Sequence, residues 1–177
     1  MTLLRAAVAA LAVTWSAPAA AQITREEALA AVYPGAAIRV EQVFLTEPQQ
    51  KAAAARGDVD VPTALIARYV ATRDGKVLGR AYVDTHTIRT KKESLLISLD
   101  ASGRVRRIDV TAFFEPVEYQ ASEPWLRQYE NRALTPDLAV NRAIRPIAGA
   151  TLTARATNEA VRRVLAIDAV LQEGPRP

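Results

Sequence analysis

The feature that most constrains this chain is a long helical pattern near its C-terminus. Apolar residues recur there at three- and four-residue steps, the spacing of one helix face: they are Val161, Val164, Leu165, Ile167 and Leu171. Gly174-Pro175 follows, and this pair is typical of a helix end. The sequence therefore predicts one long C-terminal helix whose single apolar face must pack on the rest of the domain.

A small tetrapeptide, Ala148–Thr151, stands where this helix would begin. Free N–H groups and the positive end of the helix dipole favour an anion at such a position. Gly149 and Ala150 leave room for a bulky group to approach the backbone, and Thr151 and Thr153 present hydroxyl groups. Two interpretations follow from these residues alone: a site for an anionic group, or a helix end that Thr151 or Thr153 merely caps.

The preceding chain reads as helices and hairpins. Thr24 and Glu27 form a capping box that starts a helix reaching about Val32, and Glu47–Arg56 predicts a second helix. Tight turns at Asp74-Gly75 and at 100–103 separate strand-like stretches, which are Ile38–Leu45, Thr63–Thr72, Lys76–Asp84, Glu93–Leu99 and Arg104–Phe113. The predicted fold is α+β: an antiparallel β-sheet of about five strands, with an N-terminal helix and the long C-terminal helix packed on it. Within the first strand, Ile38, Val40 and Val43 are expected to point inward.

Residues 1–21 are predicted to be a cleaved signal peptide. Arg5 precedes an apolar stretch, and Ala19-Ala20-Ala21 is a small-residue cleavage site. We therefore expect export to the periplasm and a single domain from 22 to 177. The chain has no cysteine, which excludes disulfides, cysteine-ligated metals and cysteine nucleophiles. The charged residues behind its formal charge of +4 are scattered along the chain, so nucleic acid is not an expected partner. Peripheral contact with an anionic membrane surface is expected instead.

At the helix start, Gly149-Ala150-Thr151-Leu152-Thr153 resembles the flavinylation motif of FMN-binding domains. This family includes the C subunit of sodium-pumping NADH:quinone oxidoreductase and the G subunit of the Rnf complex. Its motif is Asp-x-x-Ser/Thr-Gly-Ala-Thr, and a flavin transferase esterifies the last threonine to the phosphate of FMN. The resemblance implies covalent FMN on Thr151 and a flavin-carrying core over about 80–172. This chain departs from the motif at Arg145 and Ala148, where the family has Asp and Ser/Thr.

Four other segments resemble the stand-alone exported members of that family and occur in the same order. They are a Tyr/Phe-Pro-Gly-Ala turn, a Val/Phe-Asp-Thr-His segment, a Glu-Pro-x-x-Tyr segment and a Trp-Leu-x-Gln-aromatic segment, matched by 33–36, 83–86, 115–119 and 125–129. A departure follows the last of them, where Asn131 stands at a position that is often glycine. The matches cover most of the predicted mature chain.

A flavin needs a phosphate site, an apolar or aromatic wall for its ring, and polar groups that tune its potential. Trp125 and Tyr129 lie four residues apart on one helix face, so they are candidates for the wall, with core packing as the alternative. His86 is the only histidine; it is either a flavin contact or a structural residue. One member of the basic run at 89–92 is a candidate to balance phosphate charge. The sequence has no metal-ligand spacing and no hydrolase, P-loop or dinucleotide motif.

The resemblance implies an electron carrier rather than an enzyme, with no catalytic residue of its own. Its implied partners are the flavin transferase, which acts once during maturation, and a membrane-bound electron donor or acceptor, which it meets in every redox cycle. Two alternatives stay open at this point. One is a non-redox periplasmic binding or chaperone-like module, which would have no use for Thr151; the other is a small FMN-dependent reductase, which would turn over a specific acceptor.

Overall fold

The computed structural model describes residues 23–174, so the predicted signal peptide lies outside the described residues. The helices are α1 (Arg25–Val32), α2 (Glu47–Gly57), α3 (Glu123–Leu126) and α4 (Thr151–Gln172), with 3-10 turns at Val117–Tyr119 and Arg127–Tyr129. The strands are β1 (Ala37–Phe44), β2 (Leu65–Arg73), β3 (Lys76–Thr87), β4 (Lys92–Asp100) and β5 (Val105–Phe113). Within the described range no helix combines the length and the apolar character needed to cross a bilayer.

The five strands form one antiparallel sheet in the order β1-β2-β3-β4-β5. Each strand pairs with the next one along the chain, so the sheet is a succession of hairpins, as the turn residues predict. Together with the helices this confirms the α+β prediction. Strand β3 continues to Thr87, three residues beyond the predicted end, so that His86 lies opposite Glu93 of β4. The turn between β3 and β4 therefore lies at 88–91.

Most of the core lies between one face of the sheet and α4. The predicted apolar residues of α4 are buried against strands β3, β4 and β5, except Leu171, which is partly buried. Helix α2 packs beside α4, and the Arg162 Nε donates to the Gly57 carbonyl over 2.7 Å. The buried Asp168 carboxylate accepts hydrogen bonds from Arg80 at 2.5 Å and from the Tyr82 hydroxyl at 2.7 Å. These contacts fix α4, and hence its N-terminus, relative to the sheet.

The opposite face of the sheet is only partly covered. Helix α1 buries Leu29 and Val32 against one end of it, together with Tyr33. Beyond the reach of this short helix Val40 is 62% exposed and Phe44 is 70% exposed. The prediction that Val40 points inward is therefore wrong, because alternation along a strand identifies a face but does not show how far a helix extends over it.

Candidate functional site

A cavity of about 230 Å³ lies at the N-terminus of α4. Three stretches that are distant in sequence meet there: the β3–β4 turn, the segment after β5, and the Gly-Ala-Thr tripeptide. The lining residues are Ile88, Arg89, Glu115, Tyr119, Gly149, Ala150, Thr151, Leu152 and Thr153. The predicted motif residues 149–153 are thus together in one cavity, and the Glu-Pro-x-x-Tyr segment contributes its first and last residues to the same wall.

The Gly-Ala-Thr tripeptide makes the transition from loop to helix. Gly149 has a φ of +78°, and a Cβ placed on it would meet nothing within 4 Å, so the space beside this backbone is open. Ala150 precedes the helix, and Thr151 is its first residue. The Thr151 side chain is exposed, and within residues 23–174 its hydroxyl makes no hydrogen bond. The hydroxyl is therefore free to react or to bind.

The N-terminus of α4 differs from the N-termini of the other α-helices in the described part of the chain. Thr24, Thr46 and Ser122 each accept a hydrogen bond from a first-turn N–H group of α1, α2 and α3. Helix α4 has no such side-chain cap. The interpretation that Thr151 caps the helix is therefore wrong, because Thr151 lies inside the helix and Ala150 has no side chain that can accept. The N–H groups of 151–153 therefore have no partner among the described residues, and these three residues line the cavity.

Thr153 has a different role from Thr151. Its side chain is 1% exposed, and its hydroxyl donates to the Tyr119 carbonyl over 2.7 Å. This bond ties the first turn of α4 to the 3-10 turn after β5. Thr153 is also not a helix cap, since its hydroxyl bonds to a residue outside the helix.

Glu115 holds the β3–β4 turn against the cavity. Its Oε1 accepts from the backbone N–H groups of Arg89, Thr90 and Lys91, at 3.3, 2.8 and 2.8 Å. Hydrogen bonds from the Thr90 and Lys91 N–H groups hold the pKa of the Glu115 carboxyl below its usual range. The guanidinium of Arg89 lies over the ring of Tyr119, 5.6 Å from its centroid. Arg89 is thereby fixed as the cationic side chain of the cavity wall.

The Trp-Leu-x-Gln segment acts on the connector that leads to the motif. The Trp125 indole N–H donates to the Arg145 carbonyl over 2.7 Å, and the Arg145 N–H donates to the Gln128 side-chain oxygen over 2.9 Å. Both backbone groups of Arg145 are therefore held, six residues before Thr151. Trp125 is partly buried and does not line the cavity. Its ring packs edge to face on the Tyr129 ring, with centroids 5.6 Å apart.

Tyr129 lies in the core. It is 0% exposed, and its hydroxyl accepts from the Asn158 amide over 3.2 Å. Of its two interpretations the structure favours core packing, because a ligand cannot reach the ring. The spacing correctly put Trp125 and Tyr129 on a shared face, but that face points at the core and the connector rather than at Thr151.

His86 also lies away from the cavity lining. Its Nδ1 is 2.9 Å from Asp84 Oδ1, and its Nε2 is 3.0 Å from Glu93 Oε2. Burial opposes protonation, but the hydrogen bonds to the two carboxylates outweigh it and raise the pKa of His86 to about 9. The imidazole is therefore a cation with both nitrogens engaged, and the structure favours the interpretation of a structural histidine.

Asp84, His86, Glu93 and Arg163 make up a buried charge cluster between the sheet and α4. Arg163 Nη1 lies 2.7 Å from Asp84 Oδ2, and the Thr157 hydroxyl lies 3.4 Å from Glu93 Oε2. Burial raises the pKa of Asp84, but hydrogen bonds from His86 and the charge of Arg163 outweigh it and hold this pKa below its usual range. Among the described residues no group of His, Asp and Glu side chains is arranged as a metal site.

Sequence reasoning gave no role to several residues at the cavity. Glu115 and Tyr119 were matched only as part of a motif, and the anchoring by Glu115 depends on a turn 24 residues away. Phe114 and Val117, in the same segment, do not line the cavity but are 62% and 69% exposed. The only sequence signal for them is their position: Phe114 is a large apolar residue just after a strand, and Val117 is one in a proline-containing loop.

Comparison with known proteins adds no assignment. The chain matches no family model, no curated protein and no solved structure.

Proposed function

We propose that this protein is a periplasmic electron-transfer flavoprotein that carries FMN as a phosphoester on Thr151. The observation that carries the proposal is the exposed, unbonded Thr151 hydroxyl in a cavity lined by two of the segments that resemble the FMN-binding family. The buried Thr153 hydroxyl instead donates to the Tyr119 carbonyl, so of the two threonines only Thr151 offers a hydroxyl to a ligand. Bound FMN would supply reversible electron transfer, and the chain's own residues would bind and orient it.

The cavity suits the phosphate end of FMN. A phosphodiester on Thr151 carries one negative charge, which the uncapped first turn of α4 and the guanidinium of Arg89 would both favour. The open space beside Gly149 admits a substituted phosphate close to the backbone. Attachment forms a bond from Thr151 Oγ to phosphorus, the hydroxyl proton leaves, and the leaving group of the flavin donor departs from the same phosphorus.

The cavity is too small to enclose a whole flavin. Its volume of about 230 Å³ is below the roughly 300–1,000 Å³ of pockets that bury most of a drug-sized ligand. We infer that the sugar-alcohol chain and phosphate occupy the cavity, whereas the ring lies along its rim, beside Leu152. Leu152 is 44% exposed, so it offers an apolar surface there. A ring on the rim remains open to a protein partner, as a carrier requires.

We infer that Trp125 and Tyr129, the sequence's candidates for the aromatic wall, do not contact the flavin ring. Trp125 positions the connector before Thr151, and Tyr129 supports Trp125 from the core. Their effect on the flavin is through the placement of residues 145–151. The partners we propose are the flavin transferase during maturation and a membrane-bound electron donor or acceptor afterwards.

The test is co-expression with the host's flavin transferase, followed by fluorescence of the denatured protein on a gel. Covalent flavin survives denaturation, so the wild-type band is expected to fluoresce. Thr151→Ala should give no fluorescent band, while the matched control Thr153→Ala, which removes a hydroxyl two residues away, should still give one. Equal fluorescence from Thr151→Ala and wild type would contradict the proposal.

A further inference from the structure

Strand β1 forms one edge of the sheet, and within residues 23–174 no strand lies on its outer side. Just past its end, the Leu45 N–H donates to the Ala64 carbonyl over 2.8 Å, on the side of β2. The register of β1 on β2 runs without a shift, and backbone direction alternates along an antiparallel strand. The outward-pointing N–H and C=O groups of β1 are therefore those of 38, 40, 42 and 44. They offer a row of hydrogen-bonding groups to another strand.

The other edge of the sheet is partly covered by the chain itself. At the start of β5, the Val105 N–H donates to the Arg132 carbonyl over 2.9 Å, and the Val105 carbonyl accepts from the Asn131 N–H over 2.7 Å. Strand β1 has eight residues, none of them proline or lysine, and its pairing with β2 has no bulge. It thus lacks several of the features that protect edge strands from pairing.

Large apolar side chains lie along the open edge. Val40 and Phe44 are 62% and 70% exposed, on the same face of β1 as Ile38, which packs in the α1 cluster. Leu65 lies opposite Phe44 on β2 and is 46% exposed. A strand paired with β1 would place its own side chains beside this surface and remove part of it from water.

The charged residues of β1 are complementary to a second copy of the same strand. Arg39 and Glu41 lie two residues apart on the other face of β1, and the Arg39 side chain is 70% exposed. When two β1 strands pair antiparallel with Val40 opposite Val40, Arg39 of each copy lies opposite Glu41 of the other. Opposite charges across a strand pair are stabilising and like charges are destabilising. This charge pairing occurs in a single antiparallel register.

The same register satisfies the backbone and the apolar side chains. It pairs 36–44 of one copy with 36–44 of the other, so the outward-pointing residues of the two edges meet each other. Phe44 then lies opposite Ala36, whose small side chain leaves space for the ring, and the two Val40 side chains lie side by side. An unrelated extended peptide would have to supply all of these matches by its own sequence.

We propose that two copies of this protein associate through β1, antiparallel about a two-fold axis at Val40, and join their five-stranded sheets into one. The axis is perpendicular to the sheet, so helix α4 lies on the same side in both copies. No residue that lines the Thr151 cavity belongs to β1 or β2. The inference is therefore independent of the proposed function and is tested without flavin.

Two variants reverse the charges of β1 in opposite senses. Arg39→Glu sets acidic side chains against each other in the dimer. Glu41→Arg/Arg68→Glu sets basic side chains against each other, and it keeps an opposite-charge pair in place of the contact between Arg68 Nε and Glu41, which is 2.7 Å long. Circular dichroism checks that both variants fold.

A third variant places a charge at the two-fold axis. Val40→Lys brings two ammonium groups together where two valines would meet. The matched control is Val117→Lys, since Val117 is 69% exposed and lies outside the sheet.

The measurement is sedimentation velocity of flavin-free protein over a range of protein concentrations. Wild type is expected to form a dimer as the concentration rises. Each charge-reversal variant and Val40→Lys should associate at least ~10-fold more weakly, because every changed cross-strand contact occurs on or across the two-fold axis. An equimolar mixture of the two charge-reversal variants should form dimers again, because each glutamate then faces an arginine. Val117→Lys should dimerise as wild type does.

The inference is overturned if wild type alone stays monomeric at every concentration, which is also the result expected if β1 pairs only with a strand of another protein. It is equally overturned if Val40→Lys dimerises as wild type does, or if mixing the charge-reversal variants restores nothing. Thr151→Ala should dimerise normally. A dimer without flavin attachment would remove only the flavin function, and a fluorescent monomer would remove only the β1 interface.

Discussion

The cavity at Thr151 and the buried charge cluster lie under the same helix, α4, and both contain residues from segments that resemble the FMN-binding family. They differ in what their polar groups are bonded to. In the cluster, both nitrogens of His86 and both oxygens of Asp84 have partners within the protein. At the cavity, the Thr151 hydroxyl and the first-turn N–H groups of α4 have none among the described residues.

This difference separates a role in folding from a role in binding. Charged groups that are buried and mutually paired add little when kept together but cost much when one is removed. Polar groups that are exposed and unpaired contribute little to stability, so substitutions at the cavity are expected to change binding rather than folding. The comparison predicts large stability effects and no loss of flavin in the cluster, and the opposite at the cavity.

The largest stability effect is expected from Asp84→Asn. Removing this charge leaves His86 and Arg163, which are 11% and 13% exposed, without one of their carboxylate partners, and we expect a loss of about 3–5 kcal/mol. The matched control is Glu47→Gln, which breaks an ion pair between side chains that are both more than 70% exposed and should cost less than about 1 kcal/mol. Urea unfolding of both variants checks this; similar losses in the two would show that the cluster is not a structural centre.

The next effect is a pH dependence that His86 causes. Its pKa is about 9 in the folded protein and about 6.5 in an unfolded chain. Because the folded pKa is raised, the stabilisation is complete below pH ~6.5 and is lost as the pH rises through about 9, by at most about 3 kcal/mol.

The pH effect is measured as the difference between wild type and His86→Gln. Unfolding free energies from pH 6 to 10 should converge as the pH rises, since the variant lacks the titrating group. A constant difference across this range would contradict the protonated, doubly bonded imidazole. Covalent flavin yield at neutral pH is expected to be unchanged in the variant if it folds.

A smaller effect is expected from Trp125→Phe. This change keeps an aromatic ring against Tyr129 but removes the donor to the Arg145 carbonyl, which should cost about 1 kcal/mol. Because Trp125 does not line the cavity, the fluorescence yield per attached flavin should stay as in wild type, while the efficiency of attachment falls with the less constrained connector. A strong rise in fluorescence per flavin would instead place the indole against the ring.

The smallest stability effect is expected at Thr151 itself. Thr151→Ala removes an exposed, unbonded hydroxyl and should change the free energy of unfolding by less than about 0.5 kcal/mol. Thr153→Ala removes the buried bond to Tyr119 and should cost about 1 kcal/mol or more. The order of the two stability losses is thus the reverse of the order of their flavin losses, and thermal unfolding of the two variants checks it.

The sequence predicted the fold well because short turn motifs mark where its strands end. Asp74-Gly75 and the turn at 100–103 each fix a hairpin, and the apolar period of α4 identifies the face that packs on the sheet. The exposure of Val40 could not be predicted in this way. It depends on the length of α1 relative to the sheet, which is a property of packing between two distant segments.

The candidate site was predictable in part. Gly149, Ala150 and Thr151 were placed at a helix start by local pattern alone, and the structure has them there. Glu115 was matched only as the first residue of the segment 115–119, and its role depends on three N–H groups of the distant β3–β4 turn. The environment of His86 followed from the strand register that places it opposite Glu93, and the register depends on how tightly the chain turns at 88–91.

The central claim is that Thr151 is the covalent flavin acceptor, and the mass of the protein from the periplasm of its own host tests it most directly. Intact mass followed by peptide mapping should show an increase of one FMN less one water, carried by the peptide that contains Thr151 and absent in Thr151→Ala. Arg145→Asp/Ala148→Ser, which introduces the two motif residues that this chain lacks, should give at least the wild-type yield. An unmodified wild-type mass in the presence of the host's flavin transferase, or a modification mapped to another residue, would contradict the account.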